Sequence, residues 1–370
     1  MAMQIREGVE GPRRDRLRSI FHMAQHHEHG IAPSESRDDR TLKGLVRKGV
    51  RVKFATIDDV HMDKSVVRFQ KIRVRYLEAG EMGMPELIGI HGSGTSNSIR
   101  SWHENVVELG RHFHVILPDI PGFGKTDKNL GMSTVEYYAK DFLPRFADVM
   151  GLERFHLMGT SIGGAIATIF ALDNPLMVDH LVDIAAYGFD RGNIDPIRYL
   201  GTRSTKAIEV LQSLADTQFF RNHPEMTYPI VKFVMKHISK GMKEKIKHEE
   251  EQGKVIGLEE TKEYLMERLP LAELQLLKSD TTAMGRRRTQ LLGRVHDLER
   301  YGVQVLFVVG ANDPLVDSGG IDKAEAMFSK GKAFLYKIEG VEHGPQIHRS
   351  GEVNRLITDF LHGDYSLLRG

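Results

Sequence analysis

Three residue types at three distant positions could together break the bond between a carbonyl carbon and its leaving group. Ser161 lies in Gly159-Thr160-Ser161-Ile162-Gly163, Asp313 in Gly310-Ala311-Asn312-Asp313-Pro314, and His343 in Glu339-Gly340-Val341-Glu342-His343-Gly344. A serine hydroxyl is a weak nucleophile at neutral pH. It needs a base, and the base needs an acid to orient it. The glycines beside Ser161 remove side-chain bulk from a tight turn. A helix following that turn aims its N-terminal amides at the place where an oxyanion would form. The N–H of Ile162, directly after the serine, is one expected donor. The second is expected from Ser93 or Gly94 in His91-Gly92-Ser93-Gly94, where small residues allow close approach of the backbone.

Each of these residues needs an element to hold it. The segment beginning at Phe155 reads as a buried strand and Ala165–Leu172 as a helix, so Ser161 falls at a strand–turn–helix junction. Val305–Val309 reads as a strand ending just before Asp313, and Ala333–Ile338 as one ending just before His343. Further strand signals occur at Val52–Ile57, Val66–Leu77, Leu87–Ile90, Val115–Leu117 and Leu181–Ile184. The first two suit an antiparallel start with one wet face, because Arg73-Val74-Arg75-Tyr76-Leu77 alternates polar and apolar. The later runs are short and continuously apolar, as parallel strands buried on both faces are. A helix is expected over Met132–Met150, opened by Ser133 as N-cap with Glu136 three residues on.

Residues 191–298 break this rhythm with a charged, helical pattern. They read as a helical cap inserted over the C-terminal edge of the sheet, where open α/β sheets place their sites. The expected organisation is an extension over 1–45, a core over 46–190 and 299–370, and the cap between them. The fold class is α/β: a mostly parallel twisted sheet flanked by helices, with an inserted helical cap.

Other assignments compete at several points. Asp183 and Asp317 are fallback acids. His348 rivals His343 but falls inside a following helix, and His91 reads as a brace for the loop after its strand. His26-His27-Glu28-His29 invites a metal reading, but sequence neighbours cannot share a helix face, so a solvated segment is expected. Gly122-Phe123-Gly124-Lys125-Thr126 lacks the full spacing of a phosphate loop, and the glycines at Gly159 lack the G-x-G-x-x-G spacing of a dinucleotide site. Phe219, Phe220, Met226, Tyr228, Phe233 and Met235 could line an apolar pocket, with packing inside the cap as the alternative.

Composition narrows the partners. The chain has 370 residues, 41% hydrophobic and 27% charged, with a formal net charge of +1. That balance gives no bulk attraction to nucleic acid or an anionic membrane. There is no cysteine, which excludes a thiol nucleophile and a Cys-ligated metal. No apolar run approaches a membrane span, and residues 1–40 lack the apolar core of a signal peptide. The expectation is a cytoplasmic protein that acts on a small-molecule carbonyl substrate without cofactor or metal. Homo-oligomerisation is left open.

Taken together, His91-Gly92, Asp119-Ile120-Pro121-Gly122-Phe123-Gly124, the turn at Ser161 and the Asp313 and His343 loops resemble an α/β-hydrolase-fold serine hydrolase over about residues 50–362. The order Ser, Asp, His is the order of that fold. With Ser101-Trp102 and Asn312-Asp313-Pro314-Leu315-Val316, the chain looks most like the meta-cleavage-product hydrolases. That resemblance implies cleavage of a carbon–carbon bond in a vinylogous 1,5-diketone, beside the ester or lactone hydrolysis that the residues themselves suggest. The chain departs from that group in its longer N-terminus and cap, and in Thr160 where asparagine is common. Arg286, Arg287 and Arg288 are the candidates for the group's cap arginine. A non-hydrolytic lyase, cyclase or ligand-binding descendant of the fold is the alternative from another class.

Overall fold

The structure, a computed structural model, describes residues 37–63, 66–92, 98–127, 133–189, 291–313, 315–316 and 318–368. Helix α1 (Arg37–Arg47) leads into strands β1 (Arg51–Asp63) and β2 (Val66–Ala79), then β3 (Glu86–Ile90). A 3-10 turn (Ile99–Trp102), helix α2 (Val106–Leu109) and β4 (His114–Pro118) follow. Next come α3 (Val135–Tyr137), a π-helical turn (Tyr138–Phe142), α4 (Leu143–Val149), β5 (Phe155–Thr160), α5 (Ile162–Asp173) and β6 (Val178–Ile184). After residue 290 the elements are a 3-10 helix (Val295–Tyr301), β7 (Gln304–Gly310), α6 (Ser318–Glu325), β8 (Ala333–Ile338), α7 (Pro345–His348) and α8 (Ser350–Leu361).

The eight described strands form one sheet in the order β1-β2-β4-β3-β5-β6-β7-β8. β1 and β2 form an antiparallel hairpin, β2 lies antiparallel to β4, and every pairing from β4 to β8 is parallel. The continuously apolar strands are the ones buried on both faces. In β5, Leu157 joins the apolar cluster on one face and Met158 the cluster on the other. α5 packs its Ile166 and Phe170 into the first cluster, and Trp102 with Phe360 of α8 fill the second. All the parallel strands therefore end on one edge, which carries Ser161, Asp313 and His343.

Two expectations change. The wet face of β2 stops at Arg73. From Arg75 onward both faces are covered, because β4 pairs from Tyr76 and the chain after β4 folds back over the strand. The N–H of Asp119 donates to the Arg75 carbonyl at 2.9 Å, and the Arg75 N–H donates to Thr126 Oγ1 at 2.9 Å. Arg75 is buried with its Nε donating to Asp119 Oδ2 at 2.6 Å. Asp119 also accepts the Ile99 and Lys125 amides, so one buried carboxylate gathers three segments of chain.

The helix expected over Met132–Met150 starts at Val135, and its N-cap is Thr134, not Ser133. Thr134 Oγ1 accepts the Tyr137 N–H at 3.0 Å. The π-helical turn interrupts it just before Pro144. Proline brings no N–H for the carbonyl four residues back and its ring crowds that carbonyl, so a widened turn relieves both.

The His26–His29 run, Asp317 and residues 190–290 lie outside the described residues. The two ends of that long segment meet. Leu291 donates its N–H to the Gly188 carbonyl at 2.8 Å, and Phe189, Leu291, Val295 and Leu298 are all buried in the sheet's core cluster.

The Arg75–Asp119 pair yields a stability prediction. Arg75→Ala leaves a buried carboxylate without its cation and is expected to cost about 3–5 kcal/mol. Urea unfolding checks it; a loss below about 1 kcal/mol would mean that the amide donors alone hold Asp119.

Candidate active site

Ser161 sits where β5 turns into α5, at φ 56 and ψ −122. A non-glycine residue at positive φ is strained by about 1–3 kcal/mol and persists only where its surroundings over-determine it. They do so here. The Ser161 N–H donates to the Ile184 carbonyl at 2.9 Å, and the Ser161 carbonyl accepts the N–H of Gly164 and of Tyr187, both at 3.0 Å. Glycine is required on both sides of the turn. A Cβ on Gly159 would strike the Gly163 carbonyl, and one on Gly163 would strike the carbonyls of Ile90 and His91. The turn is therefore wedged against the end of β3.

Ser161 is half-buried. Ile162 is the first residue of α5, where an N–H has no acceptor within the helix. Ser93 and Gly94, the other expected donors, lie outside the described residues, as do Arg286–Arg288 and the aromatic and Met residues between 219 and 235. The segment leading to Ser93 leaves from beside the Ser161 turn, since Ile90 and His91 touch Gly163.

The other two residues are brought together by neighbouring parallel strands. Asp313 follows β7 and His343 follows β8, and His343 Nδ1 donates to Asp313 Oδ2 at 2.8 Å. The other carboxylate oxygen accepts the Leu315 and Val316 amides at 2.8 and 3.1 Å. The Asp313 side chain is 2% exposed and that of His343 23% exposed, so the acid is sealed while the imidazole is reachable. With Nδ1 facing the carboxylate, Nε2 is the nitrogen free to take a proton. Gly310 lets the two loops close, because a Cβ there would strike the carbonyls of Val341 and Glu342. Among the described residues no hydrogen bond joins Ser161 to His343. Such bonds are often long before substrate binds.

The rival residues fall elsewhere. His348 is exposed on α7. His91 is fully buried, with Nδ1 donating to the Gly92 carbonyl at 2.7 Å and Nε2 accepting the Ile120 N–H at 3.1 Å. Burial holds its pKa below the ordinary histidine value, so it stays neutral and braces the two loops it touches. Asp183 lies inside β6, opposite Gly159 in register and beneath α5. Thr168 Oγ1 of α5 donates to its Oδ2 at 2.6 Å, and Gly164 packs against its Oδ1. Complete burial raises its pKa to about 8 against the partial relief of the Thr168 bond. It is an acid of the core, not the partner of His343.

Sequence reasoning missed Arg75, whose alternation with Val74 and Tyr76 mimics a solvated strand face. Its partner Asp119, the first residue after β4 and next to Pro118, was the available hint of a cation nearby.

Comparison with known proteins adds the following. Residues 85–350 match the family described as alpha/beta hydrolase fold. A 2-hydroxy-6-oxononadienedioate/2-hydroxy-6-oxononatrienedioate hydrolase of Paraburkholderia phymatum is 33% identical over 146 residues, which are 39% of this chain and 48% of that protein. The chain spans about a third to a half of the length of the curated relatives it matches. Among solved structures, a thermophilic esterase from Thermogutta terrifontis superposes with a TM-score of 0.56 at 18% identity, over 84% of this chain and 99% of that one. A meta-cleavage product hydrolase from Pseudomonas fluorescens IP01 gives 0.52 at 21% identity, over 79% and 95%. At these identities the structures show a shared fold. No helix among the described residues is long and apolar enough to cross a membrane.

Asp183 sets a pH dependence. It is ionised in the unfolded chain above its ordinary 3.8 and stays protonated in the folded protein up to about 8. Between those values the folded state holds a proton that the unfolded state lacks, so this group's stabilisation is full below the lower value and is lost as pH rises toward the higher. Asp183→Asn keeps an acceptor for Thr168 and should remove that slope. Melting temperatures of both proteins from about pH 4 to 8 check it; parallel curves would show a folded-state carboxylate that is already ionised.

Proposed function

The chain belongs to the alpha/beta hydrolase fold family, and on that premise we propose that it is a serine hydrolase acting on a small carbonyl compound. The reading rests above all on the hydrogen-bonded Asp313–His343 pair at the strand ends, on the sheet edge that also carries the strained Ser161 turn. In the proposed reaction His343 Nε2 takes the Ser161 proton as Oγ attacks the carbonyl carbon. The Ile162 N–H, with Ser93 or Gly94, stabilises the oxyanion. His343 then protonates the leaving group, and water hydrolyses the acyl-enzyme with the same base. Asp313 keeps the imidazole oriented and stabilises its cationic form.

The substrate classes we propose are esters, lactones and vinylogous ketones. The named activity of the Paraburkholderia relative favours the vinylogous ketone and hence carbon–carbon cleavage as the second reading. There the leaving group is a dienolate carbon, which His343 would protonate through the same geometry. We propose further that residues 191–290 form the cap that shapes the pocket; Leu291, Val295 and Leu298, at the end of the expected cap, pack in the sheet's core cluster instead. Supporting this, the segment departs and returns at one point, Gly188 and Leu291, beyond the end of β6 on the edge that carries Ser161.

A fluorophosphonate probe tests the nucleophile: wild type should label and Ser161→Ala should not. Labelling that persists in the variant would move the nucleophile elsewhere; no labelling of wild type would favour a binding protein. His343→Ala is expected to lower kcat by roughly 100- to 10,000-fold, while His348→Ala changes it little. The opposite pattern would reassign the base. Aryl esters, lactones and a vinylogous diketone assayed in parallel separate the substrate classes.

A further inference from the structure

One buried polar cluster outside the Ser161, Asp313 and His343 group reaches the histidine loop from the far side. Asn105 occupies the N-cap position of α2, yet its side chain makes no capping bond. Its Nδ2 donates instead to the main-chain carbonyl of Gln346 at 2.9 Å and to Asn354 Oδ1 at 2.7 Å. Asn354 Nδ2 in turn donates to the Glu104 carbonyl at 3.1 Å. Asn105 is fully buried and Asn354 is 5% exposed. Buried amides destabilise a core unless they are bonded, so these bonds are directional and costly to lose. Their partners lie 241 to 250 positions apart, which means that they tie the chain before the long inserted segment to the chain after it.

Gln346 lies three residues after His343. The histidine loop hangs between two held carbonyls. Val341 accepts the Asn312 N–H at 2.9 Å, which fixes the loop to the Asp313 side. Gln346 accepts Asn105, which fixes it to the segment that follows residues 93–97. Between these points runs Gly344, at φ 99, and then Pro345. α7 is a single turn in which Pro345 and Gln346 are buried while Ile347 and His348 are exposed. One helical turn has little stability of its own, and two buried residues supply little apolar anchorage. The amide bond therefore sets where this turn sits.

We propose that Asn105, clamped by Asn354, is a positioning residue that holds the His343 loop in register with the Ser161 turn. This rests on the reading of Ser161 as nucleophile and His343 as base. A base displaced by even 1 Å loses much of its effect, up to about 100-fold in rate. The loss should fall on kcat with KM nearly unchanged, because the imidazole acts in the transition state.

The test compares Asn105→Ala and Asn354→Ala with Tyr137→Phe. The last removes a hydrogen bond to Asp59 in the sheet's other flank and serves as a destabilised control. Three readouts are taken: kcat and KM on an aryl ester, the chemical-unfolding midpoint, and the downfield proton resonance of the His343 Nδ1–H on Asp313. Asn105→Ala is expected to lower kcat by about 10- to 100-fold and to broaden or shift that resonance. Tyr137→Phe should lower the midpoint while leaving kcat and the resonance as in wild type. Should Asn105→Ala not fold, Asn354→Ala carries the same expectation with a smaller loss. A kcat and resonance matching the Tyr137→Phe control in whichever variant folds would overturn the proposal. If wild type neither turns over the ester nor takes a fluorophosphonate, the reading of Ser161 fails. The resonance still judges the role of Asn105 in that case.

Discussion

The backbone at Ser161 governs the rest of the site. A serine at φ 56 between a fully buried strand and a nearly fully buried helix is a conformation that the chain would relax if it could. It does not relax because Ile184, Gly164 and Tyr187 each hold one of its two main-chain polar groups, and because Gly159 and Gly163 leave no space for another path. The same tightness sets the neighbours. The end of β3 must lie against Gly163, and β6 must run beside β5 so that its own C-terminal residues can reach the turn. A parallel sheet buried on both faces satisfies those demands, since it ends all its strands on one edge.

Three buried polar groupings join segments that apolar packing leaves unspecified. Asp119 collects Arg75, Ile99 and Lys125. His91 bridges Gly92 and Ile120 as a neutral ring. Asn105 and Asn354 connect Glu104 with Gln346. All three lie on the side of the sheet edge where the loops after β3, β4 and β8 converge. Apolar burial supplies most of the driving force for folding, but it is non-directional; these bonds set which loop faces which.

Much of this was legible in the chain. The strand runs at Leu87–Ile90, Val115–Leu117, Phe155 onward, Leu181–Ile184, Val305–Val309 and Ala333–Ile338 all appear as strands, because a strand buried on both faces must be continuously apolar. The hairpin at the start was legible too, with its wet face as far as Arg73, though not the point where that face ends. Arg75 is polar by type and buried by context, and nothing within β2 records that the loop after β4 will fold over it. The helix start at Thr134 instead of Ser133 and the π-helical turn before Pro144 were lost for a smaller reason: two adjacent hydroxyl residues compete for one cap, and a proline's effect on its helix depends on whether packing holds the next turn in line.

The sequence by itself determined the chemistry on offer and the local geometry that goes with it. A serine between glycines, after an apolar strand and before a helix, has few conformations open to it, because those constraints act within a handful of residues. Only the tertiary structure decided which acid meets which histidine. Asp183 near the end of β6 and Asp313 just after β7 are both acids at the C-terminal ends of strands by pattern, yet one is sealed beneath α5 with a pKa of about 8 and the other accepts His343 Nδ1 at 2.8 Å. That choice is made by the register of β7 on β8 and by the carbonyls that hold the histidine loop. Such contacts join residues tens to hundreds of positions apart, and a hydrogen bond of that span leaves no periodicity for a reader of the chain to find.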